Sequence, residues 1–104
     1  MPVFRTKKEA FQWLMSGQKT IDIRKGKPFR GETAVYISGK KVLRLRINKT
    51  EHGKLSEIVR EDNFQKVIPS ANTLDDAFAY LRRLYFNSGD SFTAYYVVAL
   101  TAGL

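Results

Sequence analysis

The order of segments along the chain predicts an α+β domain: a small, mostly antiparallel β-barrel, or strongly bent sheet, with helices packed over its openings. Three observations carry that expectation. A helical period opens the chain, three segments of alternating or β-forming residues follow, and after a helical stretch the chain closes on a run that is apolar on both alternating faces. A parallel βαβ fold is disfavoured by this order. Gly17, Gly26 and Gly31 are neither spaced nor placed like the glycines of a dinucleotide or P-loop fingerprint. At 104 residues there is room for one domain, over 1–104, large enough to hold a core without a disulfide or a structural zinc.

The first element is a helix over 7–16. Thr6 and Glu9 have the spacing of a capping box, Phe11, Leu14 and Met15 recur at helical intervals, and Gly17 stands where a left-handed C-terminal residue is expected. Residues 20–24 then alternate, with Ile21 and Ile23 on one face and Thr20, Asp22 and Arg24 on the other, which describes a strand with one polar face. Residues 25–30 hold Gly26 and Pro28 and read as a basic loop. The β-formers of 33–38 make a second strand and Gly39 a turn. In the third strand, 42–48, Leu43, Leu45 and Ile47 point to a core while Arg44, Arg46 and Asn48 share the opposite face. Residues 50–54 read as a polar turn carrying His52.

From Leu55 the period becomes helical. A short helix around Ile58 and Val59 is followed by a helical turn over 63–68 that Pro69 closes. Thr73 and Asp76 repeat the capping-box spacing ahead of an apolar stripe that runs through Leu74, Ala77, Phe78, Leu81, Leu84 and Tyr85. Arg82 and Arg83 sit in the last turn, where positive charge suits the helix dipole. Residues 87–91 read as a loop, and 92–100 as a strand buried between the sheet and its covering helices.

Composition bounds the chemistry. With no cysteine, thiol chemistry is excluded, and a reducing cytoplasm is permitted, which is the expected location. The longest apolar run, 94–100, falls far short of the roughly 20 residues that span a bilayer, and the basic N-terminal segment lacks a signal-peptide pattern, so a soluble, untargeted chain without membrane partners is expected. His52 is the only histidine. It reads as an exposed loop residue, and no metal-ligand spacing or cofactor pattern accompanies it.

Charge is more informative. The chain carries 18 basic and 10 acidic residues, net +8, with a pI near 9.9, a balance that points to polyanions. Residues 1–54 hold 14 basic and 4 acidic side chains, net +10, and residues 55–104 hold 4 and 6, net −2. Such an uneven field attracts phosphate. Lys25, Lys27, Arg30, Lys40, Lys41, Arg44, Arg46 and Lys49, eight cations within 25 residues, can line a phosphate track, although each taken alone is also a solvated surface charge. Phe29, in the basic loop, is the best candidate to stack on an unpaired base. Tyr36 and Trp13 also qualify, and equally suit a core.

The densest segment is Gly17-Gln18-Lys19-Thr20 at the end of the first helix, followed by Asp22-Ile23-Arg24 on the first strand. Together with Gly31-Glu32 before the second strand, the late helix bearing Leu81, Arg82 and Tyr85, and the closing 95–100 strand, it resembles the ASCH domain of the PUA-like superfamily. That resemblance covers nearly the whole chain. It implies a small β-barrel flanked by helices with a cleft beside the Gly-x-Lys-Thr segment. It also implies a family linked to RNA binding and translation and, in some members, to hydrolysis of acetylated cytidine nucleosides.

Three functions follow as alternatives. In the first, a nucleic-acid-binding module favours RNA and takes double-stranded DNA second. Its basic half grips phosphates while Lys19, Thr20 and Arg24 in the cleft read a nucleotide. In the second, Lys19 and Asp22 serve a small hydrolase acting on a modified nucleoside such as N4-acetylcytidine. The family's amidohydrolases match Lys19 but use a threonine where this chain has Asp22, and a glutamate near the position of Ser70, so two of their three groups are missing. In the third, the positive face meets an acidic protein. Asp22 and Arg24 also read simply as a structural ion pair across a barrel mouth.

Overall fold

The computed structural model describes residues 1–85, 89 and 91–100. In chain order the elements are β1 (Val3–Arg5), α1 (Lys8–Ser16), β2 (Ile21–Lys25), β3 (Thr33–Ser38), β4 (Lys41–Gly53), α2 (Leu55–Ile58), α3 (Phe64–Val67), α4 (Leu74–Leu84) and β5 (Phe92–Ala99). The five strands form one mixed sheet in the order β1-β3-β4-β5-β2, rolled into a half-barrel with helices against it. The α+β class and the bent, mostly antiparallel sheet with flanking helices that the segment order predicts are observed, with the barrel realised as a half-barrel.

β5 lies between β4 and β2, which explains its apolar character on both faces. Phe92 and Ala94 join Ile21 and Ile23 of β2 in a core covered by the three later helices, through Ile58, Val67, Ala77 and Leu81. Tyr95 and Val97, on the alternate face, pack with Phe4, Ala34, Tyr36 and Leu45 against Phe11 and Leu14 of α1. The strand thus carries two cores, one on each side.

Several elements differ from the sequence expectation, each for a local reason. β1 is new: only Phe4 of its three residues is buried, and it exists through parallel pairing with β3, Val3 to Val35 and Arg5 to Ile37. Three residues are too few for a period to show. Helix α1 starts one residue later than expected, with Lys7 as its N-cap and no side-chain cap bond. Thr6 is not a cap, because its hydroxyl donates to Phe4 O and accepts from Arg24. Gly17 is left-handed at φ 82° and closes the helix as expected.

β4 runs on to Gly53, through the residues expected to form a polar turn. A β-bulge at Asn48 shifts the register between Ile47 and Lys49, so the alternation breaks there while the pairing with β5 continues. His52 accordingly lies on a strand, still exposed, with Nε2 2.6 Å from Ser91 Oγ. Thr73 and Asp76 form the expected capping box on α4. Ile68 is extended at φ −126°, as the residue before Pro69 prefers. The expected loop over 87–91 lies largely outside the described residues.

Candidate functional site

β1 and β2 are the two edges of the sheet, and among the described residues no backbone ladder joins them. Among the described residues, one side chain hydrogen-bonds across the gap. Arg24 on β2 donates through Nε to Asp22 Oδ2 at 2.7 Å, through one terminal nitrogen to Arg5 O at 2.9 Å, and through the other to Thr6 Oγ1 at 3.2 Å. Its guanidinium lies 4.6 Å from the centre of the Phe4 ring. A planar fork with fixed donor directions suits this task, and an ammonium cannot replace it.

Beside this seam lies a cavity of about 170 Å³. The β1–α1 junction contributes Thr6 and Lys7, β2 contributes Asp22, and Trp13 and Tyr80 form an aromatic wall with ring centres 6.0 Å apart. Lys19 reaches the cavity from the Gly17–Thr20 segment, which is fixed by Lys19 N–H donating to Trp13 O at 3.0 Å and Thr20 N–H to Lys66 O at 3.0 Å. The left-handed turn at Gly17 aims this segment inward. Lys19 and Asp22 are both buried, and Lys19 Nζ donates to Val67 O. Burial pulls the Lys19 ammonium down to about 8, with Arg24 adding to the effect and Asp22 opposing it.

Two tyrosines complete the surroundings. Tyr85 Oη donates to Ile23 O on the free edge of β2, and burial, helped by Asp22, pushes its pKa up to about 12. Tyr36 is wholly buried beside Asp22 without a well-formed hydrogen bond for its hydroxyl among the described residues. Burial raises its pKa as well. Of the stacking candidates, Tyr36 is therefore a core residue, Trp13 lines the cavity, and Phe29 is 59% exposed.

The basic residues lie elsewhere. Lys25, Lys27, Arg30, Lys40, Lys41, Arg44, Arg46 and Lys49 are all exposed, and among the described residues none forms an ion pair. Arg44 and Arg46 sit opposite Val35 and Thr33 of β3 and project from one face of β4. Lys41 and Lys49, eight positions apart on the same strand, are separated by roughly 25 Å at about 3.3 Å per residue. Arg30 and Lys49 flank one groove with Phe29, whereas Lys19, Thr20 and Arg44 border a second hollow of about 490 Å³ at the end of α1. The sequence thus brings Lys19, Asp22 and Arg24 to one cavity and spreads the cations over the β2–β3 loop, the β3–β4 turn and β4. Thr6, Lys7, Tyr80 and Tyr85 were not foreseen there. Thr6 has the spacing of a cap and Tyr85 belongs to an apolar stripe, so neither carried a signal for the site.

No family model and no curated protein matches the sequence. Solved structures do match the fold. The hypothetical protein PH0355 superposes with a TM-score of 0.75 at 13% identity, covering 94% of this chain and 97% of its own. The ASCH protein from Zymomonas mobilis superposes with a TM-score of 0.68 at 15% identity over 92% of this chain. This chain spans 65% of that protein's length. A tyrosine-to-phenylalanine variant of the same protein matches similarly, with a TM-score of 0.65. The chain therefore has the fold of the ASCH domain, in agreement with the resemblance read from its motifs.

Proposed function

Starting from an ASCH-like half-barrel with one strongly basic half, we propose that the chain is a nucleic-acid-binding module that takes RNA first and double-stranded DNA second. The observation that carries this reading is the set of eight exposed cations, Lys25 to Lys49, that have no ion-pair partner among the described residues. Cations already paired with carboxylates release few counterions on meeting phosphate, and unpaired ones release more. Arg44 and Arg46 hold the middle of the track, with Lys40 and Lys41 at one end and Arg30 and Lys49 toward the other. Lys25 and Lys27 extend it along the loop.

Fluorescence anisotropy with single-stranded RNA, folded tRNA and duplex DNA, each over a range of salt, tests it. Binding should persist near physiological salt. Arg44→Ala combined with Arg46→Ala should lower the salt slope by roughly 1.4 on single strands and 1.8 on duplex, at about 0.7 and 0.9 per phosphate contact. An unchanged slope would remove the β4 face from the track.

A second reading is favoured by the cavity. A buried lysine with its amine near 8 shares about 170 Å³ with the buried Asp22, a setting suited to proton transfer on a small modified nucleoside such as N4-acetylcytidine. In this reading turnover of acetylated cytidine disappears in Lys19→Met while the far-UV spectrum is retained. Turnover that is indifferent to Lys19 would sink the assignment.

A further inference from the structure

From the groove beside the β2–β3 loop we infer that the module takes an unpaired segment of nucleic acid, with one base seated on Phe29 and its flanking phosphates on Arg30 and Lys49. This inference rests on the nucleic-acid reading above and narrows it from polyanions in general to single strands. The groove, about 480 Å³, runs between the loop and the bulged part of β4, and is lined by Phe29, Arg30, Ile47, Asn48, Lys49 and Thr50.

Three features of the groove converge on this occupant. The first is an aromatic ring left 59% exposed in a loop that also carries Lys27 and Arg30. Its uncovered face is open to a partner, and a base has a π-face that any aromatic ring accepts. The second is that the ring is held ready. Phe29 N–H donates to Tyr95 Oη at 2.9 Å, Gly26 N–H to Ser91 O at 2.8 Å and Thr93 Oγ1 to Gly26 O at 2.6 Å, while the ring leans on Phe4 with centres 6.2 Å apart. Pro28 restricts the backbone just before it. A platform fixed in this way loses little freedom when a base lands on it.

The third feature is the bulge. By breaking the register between Ile47 and Lys49 it leaves Asn48 exposed at the groove wall, and its carboxamide makes no hydrogen bond among the described residues. A carboxamide offers paired donor and acceptor atoms to a base edge. Lys49, next along, rests its ammonium 4.3 Å from the centre of the Tyr96 ring, which holds a positive charge at the rim. In a duplex the bases are stacked on one another and shielded, so Phe29 has no face to meet.

Anisotropy titrations at one fixed salt concentration, with a labelled pyrimidine-rich RNA strand and with the same strand annealed to its complement, test the inference. The single strand should bind more tightly than the duplex. Phe29→Ala should weaken the single strand by about 5- to 150-fold and leave the duplex unchanged, and Phe29→Trp should restore single-strand binding. Equal affinity for both forms, or single-strand affinity unchanged in Phe29→Ala, would overturn the Phe29 seat while leaving the track intact if Arg44→Ala with Arg46→Ala still lowers both. Absence of salt-dependent binding to either form would overturn the nucleic-acid reading and the seat with it.

Discussion

An ammonium in a protein interior holds its proton less tightly than one in water, and Lys19, brought down to about 8, shows what that costs this fold. An unfolded chain keeps a lysine protonated up to the ordinary value of 10.5. Between about 8 and 10.5 the unfolded state therefore binds more protons than the folded state, so the Lys19 contribution to stability rises with pH across that window and is flat below it. Urea unfolding at several pH values should show wild type gaining up to roughly 3 kcal/mol on Lys19→Met between pH 8 and 10.5. A constant difference between the two would place the amine in water. The position of Lys19, Asp22 and Arg24 on one short segment was legible in the sequence, since a turn glycine and a two-residue period suffice to place them. The partners of Arg24 were not. Arg5 O and Thr6 Oγ1 lie 19 and 18 residues away, and nothing local links them to it.

Among elements, the long periodic ones were readable and the short or interrupted ones were not. α4 declared itself by Thr73, Asp76 and an apolar stripe, and β5 by its two apolar faces. β1 has no signature apart from its neighbour, and β4 was cut short at Asn48 because a bulge erases alternation without ending pairing. The groove beside Phe29 was hidden for the same reason: one wall is the bulge. The seam between β1 and β2 was likewise invisible, and its energetics can be measured. Arg24→Ala would leave the Asp22 carboxylate buried without its partner and the Arg5 carbonyl without its donor, a loss of about 3 to 5 kcal/mol. Denaturant midpoints would report it. A loss below about 1 kcal/mol would reduce the pair to an ordinary surface contact.

The whole molecule is electrically lopsided. Residues 1–54, net +10, supply β1 to β4 with α1, while residues 55–104, net −2, supply the helices over one core and the interior strand β5. The halves share one sheet, since β5 inserts between β4 and β2 and carries both cores. Charge was legible from the sequence as a sum over halves. Its distribution over the surface needed the fold, which sets Lys41 and Lys49 at opposite ends of one strand and brings Phe29 to Arg30 and Lys49. The rolled sheet also has a topological consequence. Its two edge strands are joined by a guanidinium clasp instead of a backbone ladder, so detaching the N-terminal strand means opening the clasp, breaking the pairing with β3 and lifting Phe4 out of the core.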